Sequence, residues 1–323
     1  MSHVVSVFAP ASIGNVAVGF DLLGAALRVR SGAPWGDTVR VAAAEQARFG
    51  ADGPFAHKLP PSADNLVLHA GRAVARALQR ALPPLAIHLH KGLPVGSGLG
   101  SSSASAVAGA VAVGAWLDGV TPAQLPAWKA AHAALLLDAA GEAEAIASGA
   151  HHLDNVAPCL LGGLQLTTPL GQRALPWPDD VALVLASPPF AVATKDARAV
   201  LPEQVPMETA IAHAEHLAAA VVALYTADRP LLARSVRDLL AEPHRARLVD
   251  GFAEAKAAAL QAGALACSLG GAGPAVFALA PHGTESAVAA ALAQGFAARG
   301  YSADVRICDL DRDGAIALGS QGI

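Results

Sequence analysis

Residues 94–106, PVGSGLGSSSASA, limit what this chain can fold into more than any other stretch. Glycines alternate at Gly96, Gly98 and Gly100, serines follow at Ser101, Ser102 and Ser103, and a proline-free run of small residues continues to Trp116. With Leu85–His90 read as a strand before it, the order is strand, glycine loop, buried helix. Glycines let the backbone turn sharply and approach a ligand closely. The first N–H groups of the following helix lack intrahelical partners and sit at the positive end of its dipole, so the junction suits an anion. Serine hydroxyls there can cap the helix or face a hydrated Mg²⁺ beside a phosphate. From the loop alone, a plain glycine turn with a serine N-cap stays open. Two familiar phosphate motifs are excluded. No lysine occurs between Gly92 and Trp128, as a Walker A loop requires, and Ser101 stands where a dinucleotide fingerprint needs glycine.

The rest of the composition narrows the class. A chain of 323 residues, 54% hydrophobic and 15% charged, has material for two domains or one large one. Its formal charge of −4 argues against nucleic acid as a partner. Cys159, Cys267 and Cys308 are odd in number, far apart and without metal-ligand spacing, which predicts buried, reduced thiols in a cytosolic protein. The N-terminal MSHVVSVFAP has no signal-type pattern. The run Ala104–Trp116 is shorter than the roughly 20 residues a membrane span needs. A soluble, cytoplasmic protein with no membrane partner is expected.

In chain order, Val4–Ala9 reads as a strand, then a glycine-punctuated loop to Gly24 whose polar points are Asn15 and Asp21. Those two serve either turn contacts or a site. Ala25–Val29 and Thr38–Ala44 are expected strands and Phe49–Pro61 a loop. Asp64 or Asn65 caps a helix reaching about Leu82, with Leu66, Ala70, Ala73, Val74 and Ala77 inward. Thr121 is the expected N-cap of a helix through Asp138. Glu142 and Glu144, two apart, point to different sides of any helix, so at most one faces a shared site. The polar stretch 151–158, HHLDNVAP, looks like part of a site, and a metal cage there lacks matching ligands elsewhere. Leu160–Thr168 and Val181–Ser187 are expected strands, with a domain change near 168/169. Met207–Tyr225, Pro230–Leu240 and Leu248–Ala262 are expected helices. Ala264–Leu269 and Ala275–Ala280 are strands around a second glycine loop, Gly270–Pro274. Thr284 caps a helix to about Arg299, and Ser302–Cys308 is the closing strand. Strands and helices segregate as in α+β folds.

Three stretches taken together resemble the GHMP small-molecule kinases: PASIGNVAVGFD at 10–21, PVGSGLGSSSAS at 94–105 and SLGGAGPAVFAL at 268–279. Within that family, GFDLLG at 19–24, HLDNVAPC at 152–159, TKDARAVLP at 194–202 and EPHRARL at 242–248 resemble the homoserine kinase branch. Gly14 and Val18 depart from the residues usual there. The resemblance implies a two-domain α+β fold. Residues 1–168 would form an ATP-binding, ribosomal-protein-S5-like domain with a left-handed βαβ unit, against the usual crossover hand. Residues 169–323 would form a ferredoxin-like domain. It implies ATP and Mg²⁺ as cofactors, L-homoserine as small-molecule substrate, a step towards threonine, and a homodimer. Pro94, Val95, Gly96, Ser97, Gly98, Leu99, Gly100, Ser101, Ser102 and Ser103 would wrap the ATP phosphates. Ser102 and Glu144 would hold the metal. Asn15, Asp21, His152, Asn155, Thr194, Arg198 and Arg245 would bind substrate, Asp21 taking the ammonium and the two arginines the carboxylate. Asn15, Asp21, Thr194 and Arg198 form the implied catalytic group, with direct phosphoryl transfer favoured over a strong base.

Overall fold

A computed structural model describes residues 3–59, 65–149 and 151–319. Its strands are β1 (Val4–Pro10), β2 (Ser12–Gly14), β3 (Leu23–Val29), β4 (Gly36–Ala43), β5 (Arg48–Asp52), β6 (Leu85–His90), β7 (Leu164–Thr168), β8 (Gly171–Leu175), β9 (Val181–Ser187), β10 (Ala266–Leu269), β11 (Val276–Pro281), β12 (Asp304–Leu310) and β13 (Ile316–Ala317). Its helices are α1 (Leu66–Ala77), α2 (Ser101–Leu117), α3 (Leu125–Ala131), α4 (Ala133–Ser148), α5 (Val156–Leu161), α6 (Thr194–Ala199), α7 (Met207–Thr226), α8 (Arg229–Ser235), α9 (Glu242–Arg245), α10 (Phe252–Gln261) and α11 (Glu285–Ala297).

One sheet runs β13-β1-β4-β6-β5; the other runs β10-β11-β9-β12-β3-β7-β8, with β2 on β3. Strand alternation sets which face each sheet buries: Val5, Val7 and Ala9 of β1, and Leu85, Ile87 and Leu89 of β6, point into the core, as the two-residue period requires. Helix α2 packs on α1, α4, β1 and β4 and is buried over nearly all its length. Its small residues permit this. A Cβ at Gly109 would lie 3.0 Å from the Val67 backbone of α1, so the two helices nearly touch there. Among the described strand pairs only β5 with β6 is parallel, joined through α1 as a βαβ unit. A second cluster, including Val184, Phe252, Leu269, Val288 and Phe296, lies between α10, α11 and the face of β9–β11.

The halves of the chain interlace. Strand β12 pairs with β3, β3 with β7, and β13 returns to β1. Residues 168 and 171 close the β7–β8 hairpin, inside the larger sheet.

Several local expectations are corrected. Residues 48–52 form β5 rather than loop; RFGAD has one strong strand former, and a half-exposed edge strand needs little apolar patterning. Helix α1 stops at Ala77, and Gln79 (φ 55°) turns the chain away well short of Leu82. Asn65 is its cap, its side chain accepting the Val67 N–H; Asp64 lies outside the described residues. Leu66 is half-buried and Ala77 exposed, while Val67 fills the inward position. The single helix expected after Thr121 is two, α3 and α4. They break at His132, whose ring stacks on Trp128 at 4.7 Å. Thr121 gives its hydroxyl to Gln124 and is no N-cap. Leu160 belongs to α5, and β8 is a strand that carries no apolar run of its own. Helix α8 ends at Ser235 because Asp238 collects the N–H groups of Leu240, Ala241 and Glu242 and starts α9. Helix α10 begins at Phe252 after Gly251 (φ 89°), not at Leu248. Thr284 precedes α11 but gives its hydroxyl to the Pro281 carbonyl.

Candidate active site

The glycine loop leaves β6 and ends in α2 with Gly96, Gly98 and Gly100 all at positive φ (69°, 77° and 63°). At Gly98 the reason is double, since a Cβ would also meet the Gly270 carbonyl oxygen at 2.5 Å. Gly100, left-handed, is the N-cap of α2, so the expected serine cap is absent; Ser101 turns its hydroxyl to the Leu93 carbonyl. The loop is braced from both halves of the chain. Ser12 N–H donates to Leu99 O (3.1 Å), Val192 N–H to Gly96 O (3.1 Å) and Ala275 N–H to Ser97 O (3.0 Å). The second glycine loop therefore lies directly on the first.

Above the loop opens a cavity of about 740 Å³. Val95, Gly96, Ser97, Gly98, Gly100, Ser101, Ser102 and Ser103 line it. Pro94 and Leu99 do not: Leu99 is fully buried beneath the loop, and Pro94 accepts the Ser97 hydroxyl on its carbonyl at 2.8 Å. On α4 the two glutamates part as helical geometry demands. Glu142 points outward to Arg76 (2.7 Å), and Glu144 reaches the cavity and accepts the Ser102 hydroxyl at 2.8 Å. Burial pushes the Glu144 carboxyl up to about 7, with repulsion from Asp154 adding to it and the Ser102 hydrogen bond and Lys91 opposing.

All seven expected substrate-side residues also line this cavity. Asn15, Val16, Ala17 and Asp21 have positive φ, unusual for non-glycine residues, and the strained turn is held by the Asn15 side chain. Its Oδ1 accepts the Asp21 N–H (3.0 Å), and its Nδ2 donates to Gly271 O (3.2 Å). Arg198, from α6, grips Asp21 with two parallel hydrogen bonds of 2.8 and 2.9 Å. The same guanidinium lies 2.7 Å from His152 Nε2. Arginine only donates, so that nitrogen is the acceptor. Burial, with Arg198 and Arg245 nearby, lowers the His152 pKa against the pull of Asp21, consistent with a neutral ring. Arg245, buried at 4% exposure, donates to Ala197 O and Gly271 O, each at 3.0 Å. Both guanidiniums lie over the Phe20 ring, each 5.2 Å from its centroid. Asn155 accepts the Ser12 hydroxyl at 2.9 Å, and Thr194 opens α6 at the rim. Asp21 and Arg198 are paired with each other here, rather than standing apart as two separate anchors.

Some residues in and beside the cavity carry little or no mark in the sequence. Asp154 lines the cavity with a carboxyl pushed up to about 6 by burial and then by Asp21; its one signal is its place within the polar stretch 151–158. Phe20 gives none, nor does Asp37 at the start of β4. Lys91, at the end of an apolar strand, is buried beside the cavity at 2% exposure.

Comparison with known proteins follows the same outline. A model of the GHMP kinases N terminal domain matches residues 65–163, and one of the GHMP kinases C terminal domain matches residues 220–298. The crystal structure of homoserine kinase from Cytophaga hutchinsonii is similar, with TM-score 0.85, 34% identity, and 98% of this chain and 97% of that one covered. A putative homoserine kinase from Listeria monocytogenes shares the fold at TM-score 0.67 and 24% identity, covering 98% of this chain and 100% of that one. So does the L. major mevalonate kinase, solved in complex with R-mevalonate, at TM-score 0.62 and 15% identity, covering 95% and 96%.

The chain belongs to the GHMP kinases.

Its architecture is the two-domain α+β fold of that family, and its general chemistry is phosphoryl transfer. GHMP kinases use ATP, generally with Mg²⁺. The N-terminal match spans the glycine loop, Glu144 and His152–Asn155; the C-terminal match holds Arg245 and Gly270–Pro274. Asn15, Asp21, Thr194 and Arg198 of this GHMP kinase fall outside both matched ranges, yet the fold brings them into the same cavity. Among the described residues no helix is long and apolar enough to cross a membrane.

Proposed function

We propose that this GHMP kinase transfers the γ-phosphoryl group of ATP to the side-chain hydroxyl of L-homoserine, giving ADP and O-phospho-L-homoserine, a step in threonine biosynthesis. The observation that carries the reading is the Asp21, Arg198 and Arg245 cluster around Phe20. One carboxylate and two guanidiniums in one cavity match the ammonium and carboxylate of an α-amino acid. A neutral sugar would bring neither an ammonium for Asp21 nor a carboxylate for the guanidiniums. The similarity to a homoserine kinase at 34% identity supports the same substrate.

The glycine loop and the first turn of α2 would receive the triphosphate, the backbone N–H groups meeting its charge without reorganising. Glu144 and Ser102 supply hard oxygens at the mouth of that turn and would hold Mg²⁺, which binds through one or two protein oxygens with phosphates and water completing its shell. When bound, the ion neutralises charge on the transferring group. Asn15, Asp21, His152, Asn155, Thr194, Arg198 and Arg245 would orient the amino acid so that its hydroxyl oxygen lies in line with the γ-phosphorus. The new O–P bond would form as the bond to the ADP oxygen breaks, and the hydroxyl proton would pass to an oxygen of the transferred phosphoryl group and from there to water. Asp21 is occupied by Arg198 and, in the complex, by the ammonium, so the reading assigns it to binding and leaves transfer to positioning and charge neutralisation. A cytoplasmic location and a homodimer belong to the same reading.

An ADP-release assay with Mg·ATP tests it, offering L-homoserine, D-homoserine, L-serine, mevalonate and galactose in parallel. Turnover with L-homoserine alone is expected. Turnover with another alcohol would discard the amino-acid clamp while keeping the phosphate loop. ATP binding without turnover of any of them would leave a nucleotide-binding protein with no kinase activity toward these acceptors.

A further inference from the structure

Asp37 has no exposed surface and no part in the chemistry above. The β4–β6 ladder pairs Thr38 with His90, which sets Asp37 opposite Lys91, where the chain leaves the sheet for the glycine loop. Oδ1 of Asp37 accepts the N–H groups of Gly92 (3.0 Å) and Leu93 (3.1 Å) on the near side of that loop. Oδ2 accepts the Ser105 hydroxyl (2.6 Å) on its far side and pairs with the Lys91 ammonium. Lys91 also donates to the Ser101 carbonyl (2.7 Å) and the Ser105 hydroxyl (3.0 Å), both in the first turns of α2. One carboxylate and one ammonium thus tie together the two ends of a loop whose middle holds three glycines at positive φ. Lys91, Ser101 and Ser105 all line the cavity.

An ion pair taken wholly out of water is a poor source of stability, because lost hydration offsets the attraction. What four hydrogen bonds around one carboxylate supply is geometry. They fix the direction of the α2 N-terminus relative to the loop, and that direction decides where its N–H groups point. We propose that Asp37 is a positioning residue for the phosphoryl donor. It holds the glycine loop and Lys91 in the arrangement that receives the nucleotide phosphates, without touching them. The proposal needs only the family's use of ATP, so it stands or falls independently of the amino-acid substrate.

The test measures the Kd for Mg·ADP by calorimetry and the melting temperature for the full-length protein and for Asp37→Asn and Ser105→Ala. The Asp37→Asn change keeps the side chain's shape, but the amide cannot accept from both Lys91 and Ser105 while also serving the two loop N–H groups. The expected result is a Kd raised tenfold or more for a cooperatively melting D37N and threefold or more for S105A. A purely structural role would lower the melting temperature and leave the Kd of the folded fraction unchanged. A folded D37N whose Kd rises less than tenfold overturns the proposal. If D37N does not fold, S105A decides, because it removes one oxygen and keeps the ion pair: threefold or more upholds the proposal and anything less overturns it.

Discussion

Replacing Glu144 by glutamine separates what this carboxylate costs the fold from what it does for the reaction. Burial raises its pKa from 4.5 to about 7, so the folded protein binds its proton more tightly than the unfolded chain does. Stability is therefore greatest below the unfolded value and is lost as pH rises through the folded one. A shift of about 2.5 units is worth at most roughly 3.4 kcal/mol, of which about 2.5 kcal/mol falls between pH 5 and pH 8. Glu144→Gln removes this titration and keeps an acceptor for Ser102. Asp154 titrates in the same direction, with a carboxyl at about 6, and is present in both proteins, so only its repulsion with Glu144 enters the comparison. Urea unfolding of both proteins without metal or nucleotide, at pH 5, 6, 7 and 8, gives the difference directly. The variant should gain on the parent by about 2.5 kcal/mol between the extremes, while its kinase activity falls by more than a hundredfold if Glu144 holds the metal as proposed. Mg²⁺ with ADP should stabilise the parent more at pH 8 than at pH 6, since the ion needs the ionised form. A stability difference independent of pH would refute the burial argument. Full activity in the variant would refute the metal assignment.

Three further substitutions probe other parts of the cavity. Asp21→Asn removes a charge that is only partly exposed and hydrogen-bonded twice to Arg198, so the KM for L-homoserine should rise by about 1.5–3 kcal/mol equivalent with kcat nearly unchanged; steady-state kinetics showing a kcat collapse at unchanged KM would make Asp21 a base instead. Phe20→Leu keeps an apolar side chain but removes the ring under both arginines; at about 0.5–1 kcal/mol per cation–π contact, the acceptor KM should rise by about tenfold while the ATP KM stays put. Gly98→Ala puts a Cβ 2.5 Å from the Gly270 oxygen at φ 77°, so the two glycine loops must part and the ATP KM should rise by at least about tenfold, measured at saturating acceptor.

How far the sequence could be read depended on whether a feature was local. The glycine loop announces itself, because alternating glycines followed by serines and a small-residue helix have few physical uses, and it forms the wall of the cavity. The split of Glu142 from Glu144 follows from helical geometry alone. Buried strands such as β9 and β11 are plain in their apolar runs. Strand β5 is not, because an exposed edge strand borrows its order from β6 rather than from its own side chains. The break at His132 is equally hidden, since no proline or glycine marks it between Trp128 and Ala140. In the site, Asn15, Asp21, Arg198 and Arg245 are separated by up to 230 residues, and only the family resemblance, through stretches 10–21, 194–202 and 242–248, linked them in advance. The direct Asp21–Arg198 pairing, the stacking on Phe20 and the Asp37–Lys91 tie are products of tertiary packing, for which no spacing rule exists. Gly14 illustrates the same point. As a departure from the usual residue it implies only a slight change in loop shape, yet a Cβ there would sit 2.2 Å from Asp154 Oδ2 and 2.4 Å from Asn155 Nδ2.

The central claim is that this cavity selects a zwitterionic alcohol, and its most direct test compares two acceptors that differ only in the ammonium. With Mg·ATP saturating, kcat/KM is measured for L-homoserine and for 4-hydroxybutyrate, with the phosphorylated product identified by mass. The Asp21 carboxylate would be left facing an unfilled position by the second compound, so the ratio should exceed about a hundred in favour of L-homoserine, as sites built around a buried polar contact discriminate. Equal values for the two acceptors would contradict the account.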